Sequence, residues 1–147
     1  MDFQISEALA NINLDINLGV VHAQVSVEKS SQDLLTEISN AVTKAYNEHK
    51  GKDLTKIPEI SSLRNTYKLL GKDPSRYRGS AEALLRRINQ NKGLYYVNNI
   101  VDINNFVSVE SRLSLGVYNV NNIDNVKFDI GLPGESYKGI GKDIINI

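Results

Sequence analysis

Five cations crowd into residues 76–92: Arg76, Arg78, Arg86, Arg87 and Lys92. Guanidinium groups at this density suit phosphate, because each planar fork can grip two oxygens at once. Buried ion pairs with acids such as Asp102 or Glu110 would account for Arg86 and Arg87 nearly as well. The surplus is regional. The chain carries no formal net charge, yet residues 50–92 hold eleven Lys or Arg against four acids, residues 1–49 two against seven, and residues 93–147 four against six. A basic block between acidic flanks calls for an anionic partner.

Other chemistries find little support. There is no Cys, so neither a disulfide framework nor a thiolate metal site is available. His22 and His49 have no companion His, Cys or acidic cluster at metal-ligand spacing. The string Gly139-Ile140-Gly141-Lys142 lacks the spacing and the hydroxyl residue of a phosphate loop. No catalytic constellation closes, and no metal or cofactor is expected. No apolar run approaches the roughly 20 residues of a membrane helix, and the N-terminus lacks a basic region ahead of an apolar core. A cytoplasmic location is the simplest expectation.

The elements that must position the basic residues follow from periodicity. Ser30 or Ser31 caps a helix over about 32–50, with Leu34, Leu35, Ile38, Ala41, Val42 and Ala45 in one stripe, His49 in its last turn and Gly51 past its end. A helix over 59–70 follows Pro58, and Arg64 and Lys68 on its outer face either extend the basic surface or serve solubility. Asp73-Pro74 opens a short turn. Ser80 caps a helix over 80–91 whose inward residues are Ala81, Leu84, Leu85 and Ile88, with Glu82 in its first turn. Arg86 and Arg87 point away from that stripe.

Strand and helix periods compete from Leu94 to Glu110, and Asn98-Asn99 as an N-cap favours a helix over 100–110. Alternation places strands near 16–27, 115–120 and 125–130, with an apolar strand-like run at Ile144, Ile145 and Ile147. At 147 residues the chain fits a single domain, and its abrupt apolar end suggests a domain that continues past Ile147.

The blocks GKDPSRYRGSAEALLRR, VNNIVDINNFVSVES and LGVYNVNNI, in this order, resemble the B3/4 domain family. That domain occurs in the beta subunit of phenylalanyl-tRNA synthetase and as free-standing proteins, and the free-standing type is the more similar. The resemblance implies an α+β fold with helices packed on a β-sandwich-like mixed sheet core, and a helical Ile100 to Glu110. In the synthetase the domain hydrolyses tyrosine wrongly attached to the phenylalanine tRNA. Asn105 matches an Asn of that editing pocket, and Glu110 the Glu ending the helix motif. The pocket's His is replaced by Gly116, its Arg near Tyr95, and its Glu lies beyond this chain.

Two functions follow from the resemblance. One is a tRNA- or RNA-binding module that holds phosphates with Arg76, Arg78, Arg86, Arg87 and Lys92, and accepts an amino-acid-sized group near Asn105, Glu110 and Gly116. The alternative is a free-standing aminoacyl-tRNA editing hydrolase.

Overall fold

The computed structural model describes residues 2–12, 16–121, 123–138 and 144–146. It is an α+β chain with five α-helices and two small sheets among these residues. It divides into two compact units, residues 21–118 and residues 1–20 with 119–147.

The larger unit is helical. Helices α2 (Gln32–His49), α3 (Pro58–Leu69), α4 (Ser80–Asn89) and α5 (Asn99–Ser111) follow one another, with a 3-10 turn at Leu54–Lys56 before α3. Each ends where local chemistry requires. The Ser31 hydroxyl accepts the Leu34 N–H at 3.3 Å to start α2, and Gly51 turns the chain away at φ 72°, a conformation glycine adopts without strain. Asn98 caps α5 through the Val101 N–H at 2.9 Å. The core is one cluster in which Ile38 and Ala45 of α2 meet Leu84, Leu85 and Ile88 of α4 and Val109 of α5, closed by Leu54, Ile60 and Leu94. These are the stripes that the spacing predicts.

Ser80 departs from expectation. The cap of α4 is Gly79, and Ser80 is its first helical residue. The Ser80 hydroxyl is used elsewhere: it accepts the Leu115 N–H at 2.9 Å and donates to the Leu115 carbonyl at 3.1 Å. Fully buried Ser108 donates to the Leu113 carbonyl at 2.7 Å. Two serines thus clip residues 113–115 to the helices.

The strands expected at 16–27 and 115–120 do not form; neither stretch pairs into a sheet. Val21 is 94% exposed, and Val25 and Val27 are exposed too, so the alternation buries no face. From Ser26 to Ser30 the chain is held by α5 instead of by a strand. The Asn99 side chain accepts the Glu28 N–H at 3.1 Å and donates to the Ser26 carbonyl at 2.9 Å, while its main-chain N–H donates to the Glu28 carbonyl at 2.9 Å. Buried Asp102 accepts the Ser30 hydroxyl at 2.5 Å and the Val97 N–H at 2.9 Å.

In the smaller unit β1 (Asp2–Ile5) pairs in parallel with β2 (Asn125–Phe128), in register Phe3 to Val126. Strand β2 falls where the alternation over 125–130 places one. The short helix α1 (Glu7–Ala10) is capped by Ser6 and buries Leu9. Lys127 holds Asp129 at 2.6 Å, and its hydrogen bond, with others from Ser6 and the Ile130 N–H, pulls the Asp129 carboxyl down to about 2. A hairpin of β3 (Ser136–Lys138) and β4 (Ile144–Asn146) completes the unit and takes up part of the terminal apolar run. The Gly-Ile-Gly-Lys string and Ile147 lie outside the described residues.

Gly79 offers a direct test of this packing. A Cβ there would run into the side chains of Leu63 and Ser114, whereas one at Gly19 would meet nothing. Gly79→Ala is expected to destabilise the protein by about 1–3 kcal/mol through overpacking, and Gly19→Ala to stay within about 0.5 kcal/mol of the parent. Thermal denaturation of the two variants checks the contrast.

Candidate nucleic-acid interface and a neighbouring cleft

The basic residues are organised around an acid that the sequence places only as a first-turn helix charge. Glu82 is 2% exposed on α4. Its Oε1 accepts Arg86 Nε at 2.8 Å, one turn along, and Arg64 Nη1 of α3 at 3.0 Å, while Arg78 Nε stands 4.0 Å away. The same Arg64 nitrogen donates to the Pro74 carbonyl at 2.8 Å. Three guanidinium groups therefore converge on one carboxylate, leaving two positive charges in excess. Arg64 is mostly buried, whereas the side chains of Arg78 and Arg86 are about two-fifths exposed at 42% and 39%.

The pairings left open in the sequence are resolved otherwise. Glu110 bonds Lys44 at 3.2 Å, and Asp102 serves Ser30 and Val97, so Arg86 is paired with neither. Arg87 lays its guanidinium over the Tyr95 ring, 3.8 Å from the centroid, a favourable cation–π geometry. Arg76 and Lys92 are exposed, as is Tyr96 beside Tyr95.

The three residues matched to an amino-acid pocket are spread along the second half of the unit. Asn105 is half-buried on α5, Glu110 is exposed near its end, and Gly116 lies in the following loop. The space before Gly116 is not open: a Cβ there would stand 2.9 Å from the Tyr118 hydroxyl.

A separate cleft of about 600 Å³ opens between the end of α2 and the start of α3. Sequence reading treats His49 as a plain helix-end residue, but it lines this cleft while only 6% exposed. Burial pushes the His49 pKa below its ordinary value of 6.5, against the opposing pull of Glu48. Glu48 bonds Arg112 at 2.6 Å; burial raises its pKa, and the hydrogen bond and charge of Arg112 with lesser help from His49 and Lys44 bring it below 4.5. Arg112 ends α5 in the left-handed region at φ 62°. A second, smaller cleft of about 240 Å³ shares Lys52 and Asp53 with the first and reaches Arg86. Asn105, Glu110 and Gly116 line neither cleft. His22 is exposed, and no group of acids and histidines among the described residues is placed to hold a metal ion. No helix of the described residues is long and apolar enough to cross a membrane.

The B3/4 domain family model matches residues 62–146, more than half of the chain. No curated protein and no solved structure matches it.

Two measurements test the electrostatics. Removing one partner of a buried pair costs about 3–5 kcal/mol, and since Arg78 and Arg86 remain, Arg64→Met is expected at or below about 3 kcal/mol. Adding Glu82→Gln to Arg64→Met is expected to recover part of that loss, which a double-mutant cycle of melting curves reads. For His49, the unfolded chain takes up a proton near 6.5 and the native state only at lower pH. Stability is therefore expected to fall as pH drops below 6.5, and His49→Gln to flatten that limb.

Proposed function

The chain belongs to the B3/4 domain family, and on that membership we propose that it is an RNA-binding module related to the domain of the phenylalanyl-tRNA synthetase beta subunit, with tRNA as the favoured partner. The observation that carries the reading is the guanidinium cluster on Glu82. A structural ion pair needs one cation; this carboxylate has three, and two of them reach solvent. Arg86 spends its Nε on Glu82, which leaves its terminal nitrogens for a phosphate. Arg76 and Lys92 add exposed charge, and the Arg87–Tyr95 stack with Tyr96 beside it supplies aromatic surface of the kind on which unpaired bases stack.

An amino-acid-sized group carried by such an RNA would be received near Asn105, Glu110 and Gly116. Tyr118 must turn aside to admit it, and at 77% exposure its ring has room to do so. A free-standing aminoacyl-tRNA editing hydrolase is the second reading. Binding is favoured over it because Gly116 and Tyr95 stand where the resemblance calls for a His and an Arg, so fewer polar groups remain to orient a water.

Salt dependence of RNA binding is the test. With about four phosphate contacts at roughly 0.7 each, log K for a single strand falls with log salt at a slope of about −3. Arg86→Ala with Arg87→Ala is expected to make the slope shallower by roughly one to one and a half, across RNA sequences alike. That variant also disturbs Glu82, so Arg76→Gln with Lys92→Gln is the cleaner one: a similar change in slope is expected with the melting temperature held. An unchanged slope in both variants removes the RNA-contact reading. Deacylation assays with mischarged tRNA separate the hydrolase from the binder.

A further inference from the structure

The cleft between α2 and α3 is lined by groups other than those of the basic face. Two of its carboxylates are already occupied. Glu48 is held by Arg112, and Asp53 accepts both the Thr55 N–H at 3.0 Å and the Thr55 hydroxyl at 2.8 Å. Lys52 and Lys56 line the cleft without an ion pair among the described residues.

The start of α3 lies on the same wall. Ile57 is its N-cap and offers no side-chain acceptor, Pro58 has no N–H, and so the Glu59 and Ile60 amides receive no cap from the chain. The uncapped first turn of a twelve-residue helix carries partial positive charge and favours an anion. His49 is the independent sign of a ligand. Its imidazole is more than nine-tenths buried and lines the cleft, and Glu48 Oε1, an ion-pair partner only when the ring is protonated, is 3.6 Å from Nε2, beyond hydrogen-bond reach.

One feature runs the other way and narrows the chemistry. Glu59 also lines the cleft, and its Oε2 is buried without a hydrogen-bond partner. A bare anion would leave that oxygen unsatisfied. A ligand with both an anionic end and hydroxyl donors satisfies the whole set. We propose that this cleft binds a small phosphate monoester of a polyol, of the sugar-phosphate class, with the phosphate between Lys52, Lys56, His49 and the start of α3, and a hydroxyl donated to Glu59. The volume of about 600 Å³ is in the range of small-molecule sites. The proposal is independent of RNA binding by the basic face.

The experiment is an amide NMR titration of the whole chain with ribose 5-phosphate, inorganic phosphate, ribose and a free amino acid as separate probes. Saturable shifts are expected at His49, Lys52, Lys56 and Glu59 with ribose 5-phosphate, weaker ones with inorganic phosphate, and none with ribose alone. Lys52→Gln with Lys56→Gln is expected to weaken ribose 5-phosphate about tenfold or more, as loss of two charge-assisted contacts would. Glu59→Ala is expected to erase the preference for ribose 5-phosphate over inorganic phosphate while leaving phosphate bound. Absence of shifts in the cleft with ribose 5-phosphate, or tighter binding of the amino acid, overturns the proposal. Arg76→Gln with Lys92→Gln is expected to leave this titration unchanged, which separates its failure from that of the RNA reading.

Discussion

A carboxylate buried on α4 governs the arrangement of the helical unit. Taking Glu82 out of water costs several kcal/mol unless it is paired and hydrogen-bonded, and Arg64 of α3 and Arg86 of its own helix meet that demand at 3.0 and 2.8 Å. Because Arg64 also bonds the Pro74 carbonyl, one guanidinium fixes α3, the turn after Asp73 and α4 relative to each other. That turn is itself set by Asp73, whose carboxylate accepts the Ser75 N–H and hydroxyl, and these bonds hold its pKa below 3.8. Arg86, and Arg78 at 4.0 Å, thus stand beside an anchored carboxylate. A ligand that uses them meets side chains already ordered, and ordering side chains is one of the larger costs of association.

Polar side chains on α5 do a second structural task. An extended segment normally satisfies its backbone by pairing with another strand, but here Asn99, Asp102, Ser108 and the Ser80 of α4 supply the donors and acceptors instead. This explains why α5 is uniformly mixed in character. Its residues serve the loops on both sides as well as the core, and Val109 is its one apolar residue in the fully buried cluster.

The helices were legible because their stripes and caps are local, and the α-helical outcome for Asn99–Ser111 turned on Asn98 just as its N-cap chemistry implies. Alternation misleads at 16–27 and 115–120 because it signals a segment able to have two faces, not one that finds a strand to pair with. Glu28, just past the first stretch, and Leu115, at the start of the second, instead meet side chains from positions far along the chain, Asn99 and Ser80. The basic block was visible as charge, but the identity of its acid was not. Glu82 has the i and i+4 relation to Arg86 that could have suggested the pair; Arg64, on another helix, has no such signal. The α2–α3 cleft was invisible for the same reason, since Arg112 reaches Glu48 across 64 positions and Glu59 and His49 come to line one cleft only through the fold.

The structural bond of Arg86 to Glu82 and the phosphate contact proposed for it are compatible only because the residue is an arginine. Its Nε lies on Glu82 at 2.8 Å, which leaves the terminal nitrogens of the same planar group as further donors on a side chain that is 39% exposed. A lysine would bring one ammonium to the same carboxylate and present its remaining protons around a point charge, without a second edge. In the proposed contact a phosphate would meet a guanidinium whose plane the bond to Glu82 already fixes. The buried acid is therefore better understood as a handle for the basic surface than as a neutraliser of it, since one negative charge cannot cancel three positive ones.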